Sequence, residues 1–118
     1  MLKVDLQKVF DSICWGFLEE LLSALKLPKI FISWVMACVT NVQFNIHLNG
    51  RIHGKFKLGR GLRQGGPLST LLIVLTMDHF SRMMQHVSTQ PGFHFHPHCK
   101  KQGLTHLMFA DDLILFCK

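Results

Sequence analysis

Two acidic residues, Asp111 and Asp112, stand side by side in the middle of an apolar run at residues 107–116. Adjacent carboxylates repel each other in a low-dielectric setting, and an unpaired buried charge costs more still, so a divalent cation is the favourable way to neutralise the pair. The apolar run on each side has the length of a β-strand and is too short to span a membrane. The sequence therefore predicts a hairpin of two buried strands with the acids at its tip.

A third acid, Asp5, lies on the polar side of an alternating segment at residues 2–7 that is typical of a short strand. If this strand lies beside the acid hairpin, three carboxylates meet at one edge of a sheet. Hard divalent cations prefer such oxygen ligands, and a pair of them about 3.5 to 4 Å apart serves displacement at phosphorus. Periodicity alone leaves open whether the strands are neighbours.

The middle of the chain carries basic residues that could hold a polyanion. Residues 42–48 and 51–58 alternate on either side of Asn49-Gly50, the strongest short-range signal for a β-hairpin. The alternation predicts that Arg51, Lys55 and Lys57 share the polar side of the second strand. That side is either an ordinary solvated strand edge or a surface that binds the phosphate groups of a nucleic acid.

A glycine-rich segment at residues 59–66 follows the predicted hairpin and contains Arg63, Gln64 and Gly65. Pro67 suits the first turn of a helix, which we expect to run from residue 68 to residue 84. Free backbone N–H groups and the helix dipole make such a junction an anion site, although an ordinary loop has the same composition. The pattern matches neither of the common nucleotide-binding glycine motifs.

Two shorter helices are predicted before the hairpin. Helical spacing begins at Trp15, with Asp11 and Ser12 available as caps and Pro28 as the stop. Pro28 then opens a second helix that ends near Thr40. The apolar face of the first helix comprises Leu18, Leu21, Leu22 and Leu25, and that of the second comprises Phe31, Ile32, Val35 and Val39.

An irregular connection at residues 88–103 is rich in histidine and suggests a zinc site as a minor alternative. Its candidate ligands are His94, His96, His98 and Cys99, with His106 nearby. The spacing fits no structural-zinc template, and the first two histidines alternate with phenylalanines as in an ordinary half-buried segment.

The composition limits the size and compartment of the protein. With 118 residues the chain forms at most one domain, and its formal charge of +6 with 48% hydrophobic residues favours a compact body whose basic surface suits polyanions such as nucleic acid. A basic ribosomal-type protein or a membrane-surface protein has the same totals, so charge alone does not decide between them. Four cysteines without a CxxC pair and no secretory signal indicate an intracellular protein of the nucleus or cytoplasm. We expect neither secretion nor membrane association.

Three strings of residues together resemble a known family. VDLQKVFDS at residues 4–12, GLRQGGPLST at 61–70 and FADD at 109–112 occur in the order and rough spacing of the three central palm motifs of reverse transcriptases. The string NGRIHGKFK and the stretch from FHFHPHCKK to LILF are most similar to LINE-type, non-long-terminal-repeat retrotransposon enzymes of the sort abundant in plant genomes. Group II intron enzymes share the three motifs but less of the connecting sequence.

The resemblance implies an α+β fold, the antiparallel polymerase palm of RRM-like or ferredoxin-like type, with helices packed on one face. It covers residues 1–118 as one partial palm domain, with motif regions near 4–12, 61–70 and 107–116. No fingers region precedes Asp5 and no thumb follows Lys118, so we expect a piece of a decayed retroelement copy that exposes apolar surface and dissolves poorly.

The resemblance also implies the site. Asp5, Asp111 and Asp112 would be catalytic and hold two Mg²⁺ ions, with Mn²⁺ as a substitute. Phe10 would lie under the sugar of the incoming nucleotide and exclude a 2′-hydroxyl, unless it belongs to the core. Gln64 and Gly65 would contact the nucleotide, while Arg63, Arg51, Lys55 and Lys57 would contact nucleic acid.

The implied partners are an RNA template, a DNA primer, deoxynucleoside triphosphates and the remainder of a retroelement polyprotein. Three positions depart from the family pattern: Gly66 where Asp is usual, Thr70 where Pro is common and Val9 where Ala is usual. Two functions therefore compete, an RNA-directed DNA polymerase and a catalytically inactive nucleic-acid-binding remnant.

Overall fold

The computed structural model describes residues 1–6, 9–57, 59–63, 65–109 and 112–117. They form an α+β chain with antiparallel sheets, as expected, organised in two compact units, Met1–Lys8 with Val74–Lys118 and Val9–Ile73. The elements in chain order are β1 (Leu2–Asp5), α1 (Val9–Ser12), α2 (Trp15–Ala24), α3 (Lys29–Thr40), β2 (Gln43–Leu48), β3 (Arg51–Lys57), α4 (Pro67–Ser88), a 3₁₀ turn (Lys100–Gln102), β4 (His106–Phe109) and β5 (Asp112–Leu115).

Helices α2 and α3 pack against each other in the unit Val9–Ile73. Their predicted apolar faces are largely confirmed, because the leucines at 18, 21 and 22 and the residues Ile32, Val35 and Val39 are buried. Two members were wrong. Leu25 caps the end of α2 and is 44% exposed, and Phe31 lies at the margin of the α3 stripe and is 42% exposed.

The predicted cap of α2 was also wrong. Asp11 and Ser12 belong to α1, and the N-cap of α2 is Cys14, which makes no side-chain capping hydrogen bond. The prediction failed because Asp11 and Ser12 lie within the four-residue helix α1 and are therefore not at the N-cap position of α2. The start of α3 is confirmed within one residue, since Pro28 is its N-cap.

Strands β2 and β3 form the predicted hairpin. Asn49 and Gly50 connect them with φ angles of 50° and 73°, the two positive values that a type I′ turn requires. The pairing shifts between Asn45 and Ile46, because Gly54 of β3 is an extra residue with φ of 69°. The hairpin therefore contains a β-bulge that the alternation did not predict.

The bulge divides the basic residues of β3 between the two faces of the hairpin, so their predicted placement on one side was wrong. Residues directly opposite in an antiparallel pair share a face. Arg51 pairs with Leu48 and therefore lies on the face of the stacked rings of Phe44 and Phe56. The opposite face carries the pairs Asn45 with Lys55 and Gln43 with Lys57, together with His47 and Ile52.

The unit that contains Val74–Lys118 holds an antiparallel sheet of order β1-β5-β4. The two acid-flanking strands are thus confirmed as a hairpin, and β1 lies beside it. The residue at 111 falls outside the described residues. On one face of this sheet, His106 hydrogen-bonds with Ser81 of α4 at 2.7 Å and meets the ring of Phe80 edge-on.

Helix α4 begins at Pro67 as predicted but continues to Ser88, four residues beyond the predicted end. The segment after it is irregular, as expected, apart from the 3₁₀ turn and an isolated bridge between Phe95 and Cys117. Among the helices that the structure describes, none combines the length and apolar character of a membrane span.

Candidate functional site

Asp5 and Asp112 face each other across neighbouring strands. Asp5 is the last residue of β1, Asp112 is the first of β5, and the two are direct Cα partners in the antiparallel pair. Cβ atoms of such partners lie about 4.5 to 5.5 Å apart, so both carboxylates belong to one face at one end of the sheet. The sequence left open whether these strands are neighbours, and the structure shows that β1 and β5 are.

The acid-bearing face is the exposed side of the sheet. Phe109 pairs with Asp112 and is 79% exposed, and Leu107 pairs with Ile114 and is 50% exposed. The opposite face contains Leu113, which is 7% exposed. Asp5 and Asp112 therefore lie on a solvent-exposed face, unlike the buried acids that the apolar run predicted.

A lysine meets Asp112 on this face. The Nζ atom of Lys3 lies 3.1 Å from Oδ1 of Asp112. Lys3 pairs with Ile114, two residues beyond Asp112 on β5, so it reaches the acid diagonally across the two strands. The ammonium group occupies a position where the carboxylates attract a cation.

The residues present fit a divalent cation. Two carboxylates on one open face supply the hard oxygen donors that Mg²⁺ and Mn²⁺ prefer, and the Lys3 ammonium is a stand-in for positive charge at that place. Like charges directly opposite on a sheet are destabilising without a counter-ion. Asp5 and Asp112 could thus hold a metal ion, while Asp111, the third predicted ligand, lies outside the described residues.

The glycine-rich loop is fixed by two hydrogen bonds at Gly61. Its N–H donates to the carbonyl of Ile13 at 2.9 Å, and its carbonyl accepts from the indole Nε1 of Trp15 at 2.8 Å. Both partners lie just after α1, the helix that includes Phe10. The loop and the motif around Phe10 are therefore tied together within one unit. Nothing in the sequence marked Trp15 for this role.

The predicted nucleotide-binding residues of the loop are only partly described. Arg63 is exposed, and Gly65 has φ of 82° with open space where a side chain would stand. Gly65 thus leaves room for a ligand and has a backbone conformation that other residues rarely adopt. Gln64 lies outside the described residues, and for Phe10 the structure places only the backbone, in α1.

Gly66 precedes the first turn of α4. Its carbonyl accepts the backbone N–H of Thr70 at 3.2 Å and the hydroxyl of Thr70 at 3.3 Å. A Cβ atom at this position would lie 3.4 Å from the hydroxyl of Ser69, at the lower edge of ordinary contact distances.

The histidine-rich segment does not assemble into a metal site in the part of the chain that the structure describes. No group of three or more His, Cys, Asp or Glu side chains there is arranged to hold an ion. The rings of His96 and His98 lie 5.6 Å apart, and Nδ1 of His96 is buried without a hydrogen-bond partner.

The comparison with protein families decides the assignment of the chain. All of its residues, 1–118, match the family described as reverse transcriptase (RNA-dependent DNA polymerase). The chain belongs to this reverse transcriptase family. Its matched region includes both described acids and the glycine-rich loop.

The reverse transcriptase chain is also similar to Pol polyproteins of retrotransposable elements. It is 29% identical over 115 residues to the retrovirus-related Pol polyprotein from type-1 retrotransposable element R2 of Popillia japonica. This match covers 98% of this chain and 18% of the relative. It is 29% identical over 117 residues to that from type-2 element R2DM of Drosophila melanogaster, and 30% over 115 residues to a type-1 R2 polyprotein of Nasonia vitripennis.

Each of the last two matches covers 98% of this chain and 10% of the relative. The chain therefore spans between 10% and 18% of the length of these curated relatives. The resemblance to non-long-terminal-repeat retrotransposon reverse transcriptases is confirmed. The plant-like origin stays a prediction.

Proposed function

We propose that this chain is the palm core of an RNA-directed DNA polymerase that adds deoxynucleotides to a primer 3′-hydroxyl. The observation that carries the proposal is the direct pairing of Asp5 with Asp112 on an open sheet face. A sheet of order β1-β5-β4 with α4 against its other face is compatible with a polymerase palm of RRM-like type. Family membership supplies the reaction class.

Asp5 and Asp112, together with Asp111, would hold two Mg²⁺ ions, for which Mn²⁺ could substitute. When bound, these ions would lower the pKa of the attacking hydroxyl and stabilise charge on the phosphoryl group. The carboxylates of the chain fix where positive charge gathers, and the open face beside them admits a primer end and a triphosphate.

The remaining residues bind and orient substrates in this proposal. Gly65 leaves space for a nucleotide, with Gln64 and Phe10 as the further predicted contacts. Lys55 and Lys57 share one face of the hairpin and would contact phosphates of an RNA template and DNA primer, as would the exposed Arg63. Arg51 lies on the other face of the hairpin, so it would contact a different part of the nucleic acid.

The test is primer extension on an RNA template by the 118-residue chain and by a longer polyprotein that contains it, with Mg²⁺ or Mn²⁺. Replacing Asp5 by Asn should reduce synthesis by about 10²-fold or more, because a preorganised charge at the reacting phosphate is lost. The matched control is Asp78→Asn, which removes an acid paired with Arg82 on α4 and should leave synthesis unchanged. Equal activity of Asp5→Asn and Asp78→Asn would contradict the proposal.

A second candidate is an inactive nucleic-acid-binding protein that keeps the basic surface and has lost the chemistry. The observation that favours it is Gly66, which leaves the start of α4 without the carboxylate usual in the family. Salt-dependent RNA binding without any Asp5-dependent synthesis, in both the short and the long form, would support this candidate.

A further inference from the structure

The ion pair between Lys3 and Asp112 has a consequence beyond local stability, and the inference rests on the proposed metal site. Both side chains are substantially exposed, 61% for Lys3 and 46% for Asp112. Exposed ion pairs contribute little to folding because water and salt screen them. The position of Lys3 matters more than the strength of its ion pair, because Asp112 directly faces a second acid, Asp5.

The register of the sheet places three charges on one face. Lys3 and Asp5 are separated by one residue on β1 and point the same way, while Asp112 lies opposite Asp5 and diagonal to Lys3. A cation that binds between Asp5 and Asp112 must therefore enter within a few ångströms of an ammonium group. The lysine competes with that cation for Asp112 and repels it.

We propose that Lys3 is a resident competitor of the divalent cation. It neutralises Asp112 while no divalent ion is bound, and it withdraws from the carboxylate when one binds. The lysine thereby sets the cation concentration at which the site fills. Lys3 acts through its charge and its ion pair with Asp112, and it is not a ligand of the ion.

The sign and size of the effect follow from Coulomb's law. A double and a single positive charge roughly 6 Å apart in water repel enough to weaken cation binding by about tenfold, and salt reduces this to about threefold. Lys3→Met should therefore tighten binding of Mn²⁺ by about three- to tenfold. Lys3→Arg keeps the charge and should bind Mn²⁺ as the natural chain does.

The experiment titrates the 118-residue chain with Mn²⁺ and follows the electron paramagnetic resonance signal of the free ion, at low and at high salt. The matched control is Arg82→Met, which makes the same charge change in the ion pair with Asp78 on α4, where Nε and Oδ2 are 2.8 Å apart. The control should leave the dissociation constant unchanged. The difference between Lys3→Met and the natural chain should shrink as salt rises.

The outcomes separate this inference from the function on which it rests. If Mn²⁺ binds and Asp5→Asn abolishes binding, but Lys3→Met binds no more tightly than the natural chain, the competitor role is wrong and the metal site stands. Weaker binding by Lys3→Met would mean that the lysine orders Asp112 for the ion, which also overturns the proposal. Absence of Asp5-dependent binding in every variant would contradict both.

Discussion

At the scale of single residues, Gly66 is the departure from the family whose cost the structure allows us to assess. It stands before the first turn of α4, where an acidic side chain would accept hydrogen bonds from free N–H groups and favour the helix dipole. A Cβ atom there meets the Ser69 hydroxyl at an ordinary contact distance of 3.4 Å. A Cβ atom can therefore be added at this position without a close contact.

We therefore predict that Gly66→Asp raises the free energy of unfolding by about 0.5 to 1 kcal/mol, the sum of a weak capping gain and the dipole interaction. Urea denaturation followed by circular dichroism measures it. Gly66→Ala is the control, because it removes glycine flexibility without supplying a cap. If Gly66→Ala raises the free energy of unfolding as much as Gly66→Asp does, the stabilisation comes from the lower conformational entropy of the unfolded chain and not from a cap.

Residue types at the site were predictable to different degrees. Asp112 was recognisable because acids within an apolar run are costly unless they serve a purpose, whereas Asp5 was recognisable as the acid of the first palm motif. Lys3 was not, since a lysine in an alternating strand looks like any solvated residue, and its proximity to Asp112 depends on a register between distant strands. Trp15 was missed for the same reason, because its partner Gly61 is 46 positions away.

At the scale of elements, the β2–β3 hairpin shows where pattern reasoning succeeds and where it fails. Asn49-Gly50 predicted the turn because few dipeptides tolerate two positive φ angles. Alternation could not predict the bulge at Gly54, since a glycine within a strand occurs at bulges and also in regular pairing. One extra residue moved Arg51 to the face opposite Lys55 and Lys57.

We predict that the two lysines contribute more than Arg51 to the salt dependence of RNA binding by the hairpin. Replacing both Lys55 and Lys57 by Gln should reduce the slope of log K against log salt by about 1.4 to 1.8, because two phosphate contacts are lost. The matched comparison is Arg51→Gln, which removes one charge from the face of Phe44 and Phe56 and should change the slope less than Lys55→Gln alone or Lys57→Gln alone. Fluorescence anisotropy with a labelled RNA measures the slopes.

A larger effect of Arg51→Gln than of either lysine variant would place the RNA on the face of Phe44 and Phe56 instead. That face also carries Ile46 and Leu48, which are 48% and 56% exposed. The two faces therefore differ in apolar character as well as in charge. The substitutions distinguish the faces without changing the turn residues Asn49 and Gly50.

At the scale of the whole molecule, stability should depend on pH through His106. Burial lowers the pKa of this imidazole below its ordinary value, and its two ring nitrogens hydrogen-bond with the hydroxyls of Ser81 and Thr105. A group with a lower pKa in the folded state favours folding when it is neutral. Its contribution is complete above the unfolded pKa and is lost as the pH falls below it.

We predict that the free energy of unfolding falls as the pH drops below about 6.5, the ordinary pKa of histidine, and that His106→Gln makes this fall shallower, because glutamine does not titrate. Denaturation midpoints across the pH range measure the slope. The control is His47→Gln, an exposed histidine of the β2–β3 hairpin. If His106→Gln and His47→Gln leave equal slopes, the pH dependence arises elsewhere.

The general architecture was predictable, while the assembly of distant parts was not. Helix faces and hairpins follow from spacing over a few residues, so the predicted boundaries of most of these elements agree with the structure within one helical turn. Cap positions and the four additional residues of α4 depend on neighbours that local patterns do not reveal. Family membership came from three short motifs, each of which is weak by itself.

The pairing of Asp5 with Asp112 also determines when the acid site can exist during folding. The β2–β3 hairpin closes over a two-residue turn, whereas β1 must wait for a strand roughly a hundred residues further along, at a loop-closure cost that grows with the logarithm of that length. A chain still being synthesised can thus present its basic hairpin before its acids meet. Contact with RNA is available early, and the arrangement needed for chemistry forms only when β5 has been made.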